Sequence, residues 1–281
     1  MNKRLELGIL RQPDDTTCGP TCLHAVYRYY GDEIALPEVV SQIRRLEHGG
    51  TFSVFLGSHA LKRGYSVTLY TYNLQVFDPT WFRLGRDDMI ERLRARRKAK
   101  SGTPLIAAHD AHLEFLEAGG EVVFEDLTSK LIRRFLKRGV PIIAGLSATY
   151  LYQAMREYGP HDEDDDIRGD PSGHFVVLCG YDKDDRTVLV ADPLHPNPAF
   201  QGLQYVVEID RLVCAILLGI LTHDADMLIV ERDGVPRVPQ KGSGAADQPA
   251  TELFYDLPPP TDPPSAAKAP TPAKPGQSTK G

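Results

Sequence analysis

Gln12-Pro13-Asp14-Asp15-Thr16-Thr17-Cys18-Gly19-Pro20-Thr21-Cys22 is the stretch from which the rest of the chain can be read. A glutamine stands six residues before a cysteine, and that cysteine opens an apolar run. From it, Leu23, Val26, Tyr27 and Tyr30 fall at i, i+3, i+4 and i+7, one face of a helix. Gly31 is placed to end that helix. Cys18 is therefore expected in a first helical turn, against the roughly half positive charge of a helix N-terminus. This is a setting in which thiols become thiolates. The Gln12 side chain can donate a hydrogen bond to an oxyanion beside the sulfur. A nucleophile of this kind needs a histidine and an orienting partner from elsewhere in the chain.

The composition permits a packed enzyme-sized domain. Of 281 residues, 42% are hydrophobic and 25% charged, as in ordinary globular proteins. The net charge of −6 argues against a nucleic-acid-binding surface. No apolar core of signal-peptide length precedes Gln12, and the longest apolar run, Leu212 to Leu221, is about half a membrane span. The expectation is a cytoplasmic protein without a membrane span. Four unevenly spaced cysteines do not form a disulfide framework, and a reducing compartment suits a cysteine that must stay free.

Beyond the first helix, Pro37 fits the first position of a second, with Val39, Val40, Ile43 and Leu46 on one face and Gly49-Gly50 closing it. A third helix is expected from Ser53 to Arg63, stopped by Gly64, and a strand from Tyr65 to Tyr72. Asp87-Asp88 starts a basic helix with Arg92, Arg94, Arg96, Arg97, Lys98 and Lys100, read as a solvated face over Met89, Ile90 and Leu93. His109 and His112 could share a helix face, but no matching cluster lies nearby to make a metal site. Thr128 caps a helix ended by Gly139, and Val140 to Leu146 reads as a buried strand. After an acidic stretch, His161 to Asp170, the chain turns to strands: His174 to Cys179, Thr187 to Ala191, Gln204 to Ile209 and Met227 to Glu231. Asp210 could cap a short apolar helix before the last of these. Cys179 and Cys214 both read as core. Residues 1–235 are expected to form one domain. Residues 236–281, with eight prolines between Pro258 and Pro275, read as a disordered Pro/Ala-rich tail, in which Leu253-Phe254-Tyr255 could serve docking.

The histidine is best found at His174, which follows a Pro-Ser-Gly turn and begins an apolar strand. Asp192 ends the next predicted strand, after a polar turn at Asp182 to Asp185. Antiparallel neighbours would bring the Asp192 carboxylate beside His174, where it can orient the imidazole and favour the imidazolium. His174 can take a proton from the thiol and return it to a leaving group. His24 projects from the nucleophile's own helix too far along to reach the sulfur, and His195 reads as a loop histidine. Cys22 reads as helix packing.

This order, Gln12, Cys18, His174, Asp192, resembles the papain-like cysteine peptidase superfamily. The closer resemblance is to the bacteriocin-processing (double-glycine-leader) peptidase family and its stand-alone relatives. It is carried by Gln12 with Asp15-Thr16-Thr17-Cys18-Gly19-Pro20, by Gly173-His174-Phe175-Val176-Val177-Leu178, and by Ala191-Asp192-Pro193, within roughly residues 8 to 231. The resemblance implies an α+β fold, with an N-terminal helical half whose nucleophile helix packs on a C-terminal antiparallel sheet. It implies Cys18 as nucleophile, His174 as base, Asp192 as orienting acid and Gln12 as oxyanion donor. No cofactor or metal is called for. The expected partner is a peptide or amide substrate. The leader-processing enzymes are usually fused to a membrane exporter with an ATPase, which this sequence lacks, and the acidic run Asp162 to Asp166 is foreign to the motif. That run could attract a cationic substrate or calcium, or be a solvated loop. Three functions stay open: hydrolysis of a peptide or amide bond, transfer of an aminoacyl or γ-glutamyl group to an amine, and non-catalytic peptide binding with the proline-rich tail as docking arm.

Overall fold

A computed structural model describes residues 2–46, 49–100 and 105–232. The chain divides into two units, residues 1–243 and 244–281. The second unit, the expected boundary at 235/236 and the Leu253-Phe254-Tyr255 cluster lie outside the described residues.

Strand β1 (Lys3–Arg4) leads into the nucleophile loop and helix α1 (Cys18–Tyr29). Gly31, at φ 72°, terminates α1 in the left-handed region that glycine adopts without strain. Helices α2 (Leu36–Gln42) and α3 (Ser53–Lys62) follow, then β2 (Ser66–Thr71). The second helix is shorter than its apolar spacing suggests. Ile43 already has extended dihedrals, φ −90° and ψ 127°, yet stays buried. A loop that packs its own apolar residues mimics one more helical turn. A 3₁₀ turn (Pro79–Arg83), α4 (Arg86–Ala99), α5 (Leu105–Glu117) and β3 (Glu121–Val123) fill the middle of the chain. Helix α6 (Ser129–Lys137) starts at Thr128, whose hydroxyl accepts from Leu131 N at 3.2 Å.

The second half is β4 (Ile142–Ser147), α7 (Ala148–Tyr152), a small hairpin of β5 (Glu157–Tyr158) and β6 (Glu163–Asp164), and the long β7 (Gly173–Asp182). Strands β8 (Thr187–Ala191) and β9 (Gln204–Glu208), helix α8 (Ile209–Leu218) and β10 (Asp226–Glu231) complete it. The main sheet runs β3-β2-β10-β4-β7-β8-β9, with β1 on the far end of β7. Every pairing is antiparallel except β2 with β3. The sheet thus takes three strands, β1, β2 and β3, from the predominantly helical first half. Strand β7 is apolar almost throughout, as a strand covered on both faces must be. Helix α1 packs against it, and α8 packs against β4.

Two local expectations are corrected. Asp210 does not cap α8: strand β9 runs directly into the helix, Glu208 takes the cap position, and Asp210 pairs with Arg186 at 2.8 Å. Cys214 is exposed rather than core. It lies on α8 four residues after Asp210, on the outward face that Asp210 opens. Leu217 and Leu221 are exposed as well.

Candidate active site

The nucleophile loop is built around Asp14. Its Oδ1 accepts from Thr16 N at 2.9 Å and Thr16 Oγ1 at 2.8 Å. Thr17 occupies the N-cap of α1, but its hydroxyl turns back, donating to Asp14 O at 2.9 Å. Thr17 gives the helix no side-chain cap, so the first-turn amides beside Cys18 keep their dipole unmasked. Gly19 lets this helix end sit tight against the fold. A Cβ there would lie 2.7 Å from Thr51 Cγ2 and 3.3 Å from both Leu56 and Phe175. Pro20 falls in the first turn, where its missing N–H costs nothing.

His174 opens β7 and Asp192 follows β8, and the β7–β8 register brings them together. His174 Nε2 lies 2.8 Å from Asp192 Oδ1. With Nε2 committed to Asp192, Nδ1 is the ring nitrogen left for the sulfur, and the imidazole also shares a side-chain hydrogen bond with Cys18. Cys18, His174 and Asp192 thus form one chain of contacts, all three buried. Burial opposes a charge on His174, but Asp192 and the Cys18 sulfur outweigh it and push the imidazole up to about 10. Gln12 is buried too, and its backbone N donates to Pro193 O at 3.0 Å, next to Asp192. Its side-chain Oε1 is buried without a hydrogen-bond partner.

Three residues absent from the sequence reading hold the acid. Tyr152 Oη donates to Asp192 Oδ2 at 2.7 Å, Tyr205 Oη at 2.5 Å and Asn197 Nδ2 at 3.1 Å. The backbone N of Leu194 donates to Oδ1 at 2.9 Å. Burial alone would raise Asp192, but His174, Tyr205 and Tyr152 reverse it and hold the carboxyl below its usual range. Burial and Asp192 together push both phenols well above theirs, so they remain donors. Phe200 stacks on Tyr205 with centroids 3.7 Å apart, and the Tyr152 ring stands 6.0 Å from that of His174.

The other sequence candidates lie elsewhere. Cys22 is fully buried, and its Sγ donates to Phe175 O at 3.2 Å. Burial, with Cys18 and Asp192 adding to it, pushes its thiol far up. His109 and His112 bond through Nδ1 to the carbonyls of Leu105 and Ala108, four residues back on their own helix. Among the described residues, no group of three or more His, Cys, Asp or Glu is arranged to hold a metal ion. In the acidic stretch, Asp165 accepts from the backbone of Ile167 and Arg168 and pairs with the Arg168 side chain at 2.5 Å. The basic helix α4 is tied down by Arg94 to Glu117 at 2.7 Å, by Arg97 to Asp110, and by Arg96 to Gln75 O. Among the described residues, no helix is long and apolar enough to cross a membrane.

A cysteine at a helix start, facing a strand-borne histidine and acid on an α+β scaffold, defines the papain-like cysteine peptidase class of fold. Residues 4–205 match the Peptidase_C39 like family, and the chain belongs to that family. Among solved structures, a C39-like peptidase from Bacillus anthracis matches at 14% identity and TM-score 0.41, covering 83% of this chain and 98% of that one. A double glycine motif protease from an AMS/PCAT transporter, solved with its leader peptide, matches at 14% identity and TM-score 0.39, over 82% and 94%. The peptidase domain of Streptococcus ComA, a bifunctional ABC transporter of a quorum-sensing pathway, matches at 12% identity and TM-score 0.37, over 80% and 98%. A comparison with curated proteins found no significant match.

Proposed function

We propose that the protein is a cysteine peptidase that cleaves a peptide or amide bond through a thioester on Cys18. The observation that supports this best is the imidazole of His174, bonded at Nε2 to Asp192 and in contact with the Cys18 sulfur through its other side. In this reading the Cys18 sulfur attacks the carbonyl carbon, and the carbonyl electron pair moves onto oxygen. The Gln12 amide and the first N–H groups of α1 donate to that oxyanion. His174 gives its proton to the departing amine as the C–N bond breaks, leaving the acyl group on sulfur. Water then attacks the thioester, with His174 taking its proton, and the acid product leaves as the C–S bond breaks. Asp192 acts as a positioning residue throughout, fixing the ring and stabilising its positive charge. All four cysteines are free, which fits a reducing compartment such as the cytoplasm.

The test is labelling and turnover together. Wild-type protein should be alkylated at Cys18 by iodoacetamide far faster than at Cys22, and it should release an amine and a carboxylic acid from a peptide library. Cys18→Ala should abolish both signals while leaving circular dichroism and melting temperature nearly unchanged. Equal turnover in Cys18→Ala would show that the nucleophile lies elsewhere. An acylated amine in place of the free acid, when an amine is supplied, would make the enzyme a transferase.

A further inference from the structure

We propose that Gln204, at the head of β9, is a positioning residue for the Gln12 amide. This rests on the reading of Cys18 as an acyl nucleophile and of Gln12 as the donor to its oxyanion. The segment before Gln12 lies against the sheet on its way to the site. Lys3 and Arg4 pair with Tyr181 and Gly180 of β7. Leu5 N donates to Cys179 O at 2.7 Å, and the side chains of Leu5, Leu7 and Ile9 are buried. Beyond Leu7 the backbone has few ties. Among the described residues, Gly8 to Arg11 make no backbone–backbone hydrogen bond, and the chain is caught again where Gln12 N donates to Pro193 O at 3.0 Å. The Gln12 side-chain oxygen is buried without a partner. The amide is therefore aimed by the backbone beneath it and not by a hydrogen bond to that oxygen.

Leu7 is the last fixed point before that span, and Gln204 fixes it. Gln204 Nε2 donates to Leu7 O at 2.7 Å, and its Oε1 accepts from the Arg4 guanidinium at 3.0 Å. Both ends of the amide are used, which sets its orientation. The same end of β9 holds the acid. Gln204 pairs with Ala191, the residue before Asp192. Asp192 N donates to Leu203 O at 2.9 Å, and Tyr205 Oη donates to Asp192 Oδ2. Successive side chains leave a strand on opposite faces, so one strand end serves both needs. Leu203 and Tyr205 hold Asp192, and through it His174, while Gln204 holds the segment that carries Gln12.

Gln204→Glu isolates this contact. It keeps the length of the side chain and its partner Arg4, but it removes the donor and sets a carboxylate oxygen against Leu7 O. Removing an oxyanion donor outright costs roughly 10²–10³-fold in kcat. Shifting the support of that donor costs part of this, roughly 10-fold, because a small misplacement is enough to weaken a bond made only in the transition state.

The experiment uses the full chain and two reagents for the same sulfur. With p-nitrophenyl acetate the C–S bond forms through an oxyanion, then the ester C–O bond breaks and nitrophenolate leaves with the electron pair. Iodoacetamide alkylates the sulfur by direct displacement of iodide, with no oxyanion. Both rates are followed across pH. Gln204→Glu and Gln204→Ala should be acylated roughly 10-fold more slowly, while alkylation and its pH profile stay at wild-type values. In a Gln12→Ala background, Gln204→Glu should cost nothing more, because the group it supports is gone. Acylation and alkylation that fall together would put Gln204 behind Asp192 and His174. A further loss in the Gln12→Ala background would separate it from Gln12, and unchanged acylation would leave it no role. Each of these overturns Gln204 as the support of Gln12 while the nucleophile reading stands. A wild-type Cys18 that is alkylated but never acylated overturns the nucleophile reading, and the role of Gln204 with it.

Discussion

Asp192 and Asp224 are both buried, and both act on the imidazole of His174, yet the fold holds them in opposite states. Asp192 receives five hydrogen bonds, from His174, Tyr152, Tyr205, Asn197 and the Leu194 backbone. Asp224 lies against the carbon of Gly173: a Cβ there would come within 2.0 Å of its Oδ2. Burial pushes Asp224 far up; Thr222 offsets this only in part, Asp226 adds to it, and His174 pulls weakly the other way. Burial is therefore common to both carboxyls and does not decide their charge. The imidazolium charge 2.8 Å from Asp192, with the donors aimed at its oxygens, decides it.

The sharpest way to break this comparison is Asp192→Ala. It leaves two phenols and an amide aimed at a vacated site, and the expected loss is about 3–5 kcal/mol of stability. Asp192→Asn keeps the volume but not the charge, and turnover should fall by roughly 10²–10⁴-fold. The pH dependence carries the same signature. His174 is raised to about 10, so the stability it contributes is complete below about 6.5 and is lost as pH rises through about 10. Asp192 is lowered, so its share is present above about 3.9 and is lost as pH falls through its lower folded value. Denaturant titrations from pH 6 to 10 should show wild-type stability falling with pH and a much flatter line for Asp192→Asn. An equally steep line in the variant would mean that Asp192 does not hold the proton on His174.

Next in size are the phenols. Tyr205→Phe and Tyr152→Phe each remove one hydrogen bond to a buried carboxylate, worth about 1.5–3 kcal/mol. The two should not add, because both donate to the same oxygen. Activity should fall less than stability, since His174 and Asp192 keep their own contact. Denaturant unfolding of the double variant should show a loss smaller than the sum of the two single losses; a strictly additive loss would mean that the phenols act on Asp192 independently.

These donors also mark where sequence reading stopped. Cys18 was legible because a helix start leaves a local pattern, and His174 and Asp192 because two short strands and a polar turn predict their own pairing. Tyr152, Asn197 and Tyr205 come from α7, a loop and β9, and only the packing of the whole sheet collects them on one oxygen. Tyr205 left a faint trace, as a buried position in the alternating pattern of β9. Asp224 left none: it follows His223 in a left-handed turn and is buried by contacts with β4 and β7 that no periodicity encodes. The charge run of α4 was legible as a helix, but its partners on α5 and in the Gln75 loop were not, because pairing across elements depends on how helices cross. In α8 the long apolar run hid the outward face, which only Asp210 and Arg211 mark and which Cys214 and Leu217 continue.

The prediction that turns the comparison into a difference of sign belongs to Asp224→Asn. In wild type the unfolded chain ionises this carboxyl above about 3.9, while the folded chain keeps it protonated. Wild-type stability therefore falls as pH rises beyond that value, by the same linkage that made His174 unfavourable at high pH. Asparagine has no proton to lose, so Asp224→Asn should be close to wild type at pH 3 and more stable at pH 7. Asp226, raised to about 6 by burial with Thr71 and Ser53 opposing it, contributes a fall confined to the window from about 3.9 to 6. The Asp224→Asn, Asp226→Asn double variant should lose that window as well. Identical chemistry, carboxylate to amide, is thus expected to destabilise at residue 192 and stabilise at residue 224 in the same folded domain. Thermal melts of the two single variants at pH 3 and pH 7 decide it. A loss of stability at pH 7 in Asp224→Asn would mean that this carboxyl is ionised beside His174 and serves the imidazole as a second counter-charge.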